Sequence, residues 1–95
     1  MSDFEYTPEE LAAFAEKRRD ALMERQIQPL EIRISRLRAE IRAKVRHVRA
    51  LQARGYPAQP SVRVLKLLCR TLAARRRYRD VLLRQIVEDT TPMHR

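Results

Sequence analysis

What this chain is short of narrows it before any motif is considered. One glycine in 95 residues, and no alternating run rich in β-branched and aromatic residues, exclude a sheet protein, which needs both. Cys69 is the one cysteine, so no intrachain disulfide forms and nothing ties the chain to an oxidising compartment; a buried thiol on a helix is the expectation. Tryptophan is absent and aromatics make up 5%, which removes both the stacking platforms of single-strand binders and the anchors of a membrane-surface helix. No apolar run approaches the ~18 residues of a membrane span, and the opening MSDFEYTPEE is acidic, unlike a signal peptide. A soluble, cytoplasmic protein without membrane contact is therefore expected. His47 and His94 have no companions at ligand spacing, and neither a glycine-rich phosphate loop nor a nucleophile and base set is present. No metal, no cofactor and no catalytic residue is expected.

What the chain does hold is helix-forming and charged. Hydrophobic residues at 44% beside charged residues at 35% fit a helical bundle or coiled coil, and 95 residues fit one domain with a thin core. The formal charge of +9, with a pI near 11.0, calls for a polyanionic partner: nucleic acid or an acidic protein surface. The charge is sorted by position. Residues 1–31 carry eight acids and four bases, whereas residues 32–87 carry sixteen bases against two acids, Glu40 and Asp80. Eighteen of the 21 bases are arginine, whose planar guanidinium forks onto phosphate and carboxylate. A GC-rich genome produces the same bias without any such role.

Residues 1–7 read as an arm, with Phe4 and Tyr6 available for packing. Thr7-Pro8-Glu9-Glu10 then carries the parts of a helix start: a Thr cap, Pro in the first turn and Glu three residues on. A first helix is predicted over 8–27, apolar along Leu11, Phe14, Ala15, Ala21 and Leu22 and acidic along Glu9, Glu16, Asp20 and Glu24. Pro29 lacks an amide hydrogen and disfavours helical geometry at Gln28, so a break or sharp kink is predicted over Gln26–Leu30; the alternative is one kinked helix from Pro8 to Arg54. The second helix, 30–54, continues a ladder of Ile27, Leu30, Ile34, Leu37, Ile41, Lys44, Val48 and Leu51 at spacings of three and four. Gly55 follows as a left-handed cap, and Tyr56-Pro57-Ala58-Gln59-Pro60 forms the one clear loop. A third helix is predicted over 60–88, apolar along Val64, Leu65, Leu68, Leu72, Leu82, Leu83 and Ile86 and flanked by Cys69 and Tyr78, with a flexible tail over 89–95. The fold class that follows is all-α: a three-helix bundle built on a helical hairpin, dimeric with coiled-coil-like packing.

Two sets of arginines carry the functional expectations. Arg63, Lys66, Arg70, Arg77 and Arg84 align within about one quadrant of the third helix, over roughly 30 Å at 1.5 Å per residue. With Arg38, Arg42, Arg46 and Arg49 on the second helix they suit a phosphate backbone, which several cations along a line engage by releasing counterions. A solvated helical face is the plainer reading. Arg75 and Arg79 lie inside the apolar face, and together with Arg18 and Arg25 they offer an internal anion pocket; pairing with acids or snorkelling to solvent accounts for the same positions. The expected function is non-sequence-specific nucleic-acid binding as a homodimer, within or beside a nucleoprotein assembly. The alternatives are an adaptor or inhibitor for an acidic protein, such as a mobile element encodes, and a small helical enzyme or anion sensor using the pocket.

Overall fold

The computed structural model describes residues 5–91, so Phe4 of the arm and His94 of the tail lie outside the described residues. The capping signature forms as read. The Thr7 hydroxyl accepts from the Glu10 amide at 3.1 Å, the Glu10 carboxylate accepts from the Thr7 amide at 3.1 Å, and α1 (Pro8–Leu22) follows. Tyr6 closes the entry by packing edge-on against Phe14, ring centroids 5.1 Å apart. Thr7→Ala should cost about 1 kcal/mol of local stability and speed amide exchange at Glu9 to Leu11 about fivefold. Unchanged exchange there would show that Tyr6 on Phe14 suffices to hold this end.

The predicted break at Pro29 is not there. α1 runs without interruption into a single π-helical turn, Met23–Ile27, and on into α2 (Gln28–Ala53), as the one-helix alternative has it. In the π-turn the Gln28 amide donates five residues back, to the Met23 carbonyl. The wider turn lies directly before Pro29, where the ring would otherwise collide with the carbonyl of Arg25, four residues earlier. It also corrects a phase error. The half-buried Ala15, Arg19 and Met23 and the buried Ile27 succeed one another by fours, a spacing that walks about 40° around an α-helix at each step. One wide turn returns the line to the inner face, and from Ile27 the threes and fours of α2 take over.

All eight ladder residues, Ile27 at the end of the π-turn and seven in α2, are buried or half-buried. Past Ala53 the chain reverses in a Schellman arrangement: Gly55 at φ +72° donates to the Gln52 carbonyl at 3.0 Å, and Tyr56 donates to Leu51 at 2.9 Å. α3 (Gln59–Thr90) returns antiparallel to α2 and reaches α1, where Arg19 Nε donates to Thr90 Oγ1 at 3.0 Å. Its inward line is Ser61, Leu65, Leu68, Leu72, Arg75, Arg79, Leu82, Ile86 and Thr90, all buried or half-buried. Three readings are corrected here: Cys69 is exposed rather than buried, and Val64 and Tyr78 are 43% and 58% exposed. These side chains lie beside the contact line of α3, and a single partner helix covers only a narrow strip.

The chain is a helical hairpin of two long arms, and α1 extends α2 instead of folding back as a third layer. It measures 80 × 19 × 14 Å, with a radius of gyration of 21.8 Å where a compact chain of this length would have about 12 Å. Among the described residues the buried hydrophobic set is Ile27, Ile34, Leu37, Val48 and Ile86. No helix there is long and apolar enough to cross a membrane.

Candidate nucleic-acid interface

The inward line of α3 decides where its other residues go. Because Leu65, Leu68, Leu72 and Ile86 turn toward α2, the helical period carries Arg63, Lys66, Arg70, Arg77 and Arg84 to the opposite edge of α3, and all five are exposed. Lys66 and Arg84 bound the line on one side and Arg63 on the other. Among the described residues no carboxylate forms an ion pair with any of the five; the ion pairs present, Arg79 with Glu31 and Arg79 with Asp80, each at 3.3 Å, belong to the inner face. The edge is therefore free cationic surface along more than half of α3.

Arg38, Arg42, Arg46 and Arg49 are exposed too, but on the flank and back of α2, turned away from the ladder that meets α3. The body of the hairpin stands between the two sets. They face a different side of the rod from the α3 edge.

The four arginines expected to line an anion pocket are not brought together. Arg79 spans the hairpin to Glu31 Oε1. Arg75 lines a groove of about 450 Å³ with Arg33, Arg36 and Glu40. Arg18 sits at the far end in a groove with Leu11, Phe14 and Thr90, some fifteen residues of helix away, and Arg25 is exposed. The pairing of Arg79 with an acid on the facing helix is the plainer of the two readings given for it.

Two further arginines, Arg76 and Arg19, turn inward; Arg76 stands at i,i+4 spacing from Asp80, but Asp80 pairs with Arg79 instead. Arg76 is half-buried next to Arg75, and its Nε is buried without a hydrogen-bond partner. Arg19 is half-buried and caps the packing of α3 on α1 through Thr90. Spacing alone marks both, since Leu72-Arg76-Arg79-Leu83 and Ala15-Arg19-Leu22 step by threes and fours. Counting apolar residues only hides them. Among the described residues no cluster of His, Cys, Asp and Glu could hold a metal ion.

Compared with known protein families, with curated proteins and with solved structures, the chain gives no match. Its class is accordingly given by its own geometry: an extended, basic, all-α hairpin.

Proposed function

We propose that the protein is a binding module that contacts the phosphate backbone of nucleic acid through the outer edge of α3 and works as a homodimer. The observation that carries this is the line Arg63, Lys66, Arg70, Arg77 and Arg84: five exposed cations over roughly 30 Å of one helix, none paired with an acid among the described residues. Such a line matches a polyanion, and contacts it makes to phosphate carry no sequence information. Because the helix is preformed, binding orders side chains but not backbone. Self-association is supported by the thinness of the rod. Among the described residues five buried hydrophobics are few, while Leu11, Phe14, Ile32, Leu67, Tyr78 and Val81 stand 44–58% exposed.

Affinity for duplex DNA or RNA should fall steeply with salt. Replacing Arg63, Arg70 and Arg77 together by Ala should flatten the slope of log K against log salt by roughly two to three, at about 0.9 per phosphate contact. Full binding by the triple variant would overturn the assignment of this edge. A partner that stays bound after nuclease treatment would point instead to an acidic protein.

A further inference from the structure

The π-turn makes one continuous helix of residues 8–53, and this aligns charges that a broken chain would scatter. Measured from the inward line, Glu9, Glu16, Asp20, Glu24 and Glu31 fall on the same flank as Arg38, Arg42, Arg46 and Arg49, within about one quadrant at 100° per residue. All nine are exposed. Along the line Glu16, Asp20, Glu24, Glu31, Arg38, Arg42 and Arg49 the charge is acidic up to Glu31 and basic from Arg38 onward; Lys17 and Arg25 stand behind it, at the back position that Arg46 holds in the basic half.

A line that changes sign once at its middle is complementary to itself when reversed. We infer that two copies of this chain pair antiparallel along this flank, with the two-fold axis at Ile34–Ser35. This rests on the self-association proposed above and adds the surface, the orientation and the register. Asp20 then faces Arg49 of the second copy, Glu24 faces Arg46 and Glu31 faces Arg38; the midpoints of all three pairs fall at Ile34–Ser35. Two-fold symmetry repeats each pair on the other side of the axis. Parallel pairing would set Glu24 on Glu24 and Arg38 on Arg38, which like-charge repulsion disfavours.

Exposed ion pairs contribute little affinity singly but decide orientation and register, as flanking charges do in coiled coils. Contact area comes from the same flank. A groove of about 420 Å³ lined by Met23, Glu24, Ile27, Gln28 and Glu31 lies where the second copy would bring Arg38 to Arg46. Glu31 already accepts from Arg79, is half exposed, and has a second carboxylate oxygen for Arg38 of the second copy. In this arrangement the arginines of α2 are spent on the dimer, and the α3 edge stays free for polyanion.

The test uses the full chain without nucleic acid. Two charge-reversed variants are made, one with Asp20→Arg and Glu24→Arg, the other with Arg46→Glu and Arg49→Glu; both leave the Glu31–Arg79 pair intact. Each alone should self-associate at least tenfold more weakly than the parent in sedimentation equilibrium, and an equimolar mixture should form a heterodimer near parental affinity. In a Cys69→Ser background, Ser35→Cys should form an intermolecular disulfide on mild oxidation, whereas Gln52→Cys, whose counterpart lies far from its twin, should not. A parent chain that stays monomeric would overturn both the self-association and this pairing. A dimeric parent whose two variants dimerise undiminished, or whose Ser35→Cys form fails to cross-link, would overturn the pairing alone.

Discussion

Ile34→Ala should leave most of the chain unfolded at room temperature. Ile34 is 1% exposed, and among the described residues it is the most deeply buried of the five core hydrophobics. Removing three of its side-chain carbons forfeits their transfer energy and opens a cavity, a loss of about 2–5 kcal/mol. A rod one helix pair thick has little to set against this, since the low end of ordinary stability for 95 residues is only about 5 kcal/mol in total. Ile32→Ala, two residues away and 49% exposed, should change stability by about 0.5 kcal/mol or less. Thermal melts followed by far-ultraviolet circular dichroism compare the two. Equal effects would mean that the outer face of α2 is covered in the native assembly.

The opposite sign is expected on the facing helix. Arg75→Leu combined with Arg76→Leu should raise the melting temperature by about 5–10 °C. Both positions lie on or beside the inward line of α3, one turn after Leu72 and two turns before Leu82. Neither makes an ion pair among the described residues, and the buried Nε of Arg76 has no hydrogen-bond partner. Half-buried guanidiniums lose part of their hydration for little return, and apolar replacements of buried charges are often stabilising by 1–4 kcal/mol; partial exposure puts the gain here at about 1–2. For a chain of this length each kcal/mol moves the midpoint by about 4–8 °C. Since neither residue is on the outer edge of α3, polyanion affinity should not change with stability. A fall in melting temperature would show that the groove holding Arg75 with Arg33 and Arg36 is stabilising as it stands.

Much of the helical layout was legible because it depends on local chemistry. The capping box at Thr7, the left-handed Gly55 and the eight-rung ladder from Ile27 to Leu51 are set by residues within a turn of one another, and each stands where spacing puts it. Pro29 misled because the rule for proline concerns a regular α-helix. A wide turn just before the ring satisfies the same sterics without a break, and its cause is the run of fours from Ala15 to Ile27, not the proline alone. Val64 and Cys69 are exposed although one lies on the apolar face and the other beside it, because a single partner helix covers only a narrow strip of α3. The basic edge of α3 was legible as a line of exposed residues. That the α2 arginines stand on another side was not, because it depends on which face of each helix meets the other.

The π-turn at Met23–Ile27 has a mechanical consequence. It is the single joint that sets the torsional phase between the acidic end of the rod and its basic end, and it does so with one surplus residue. Remove that residue and α1 would rejoin α2 as plain α-helix, swung by about 100°. Arg19 would leave Thr90, and the acids would leave the flank they share with Arg38 and Arg49. The length of the molecule would hardly change, yet its two halves would no longer present their opposite charges in the same direction.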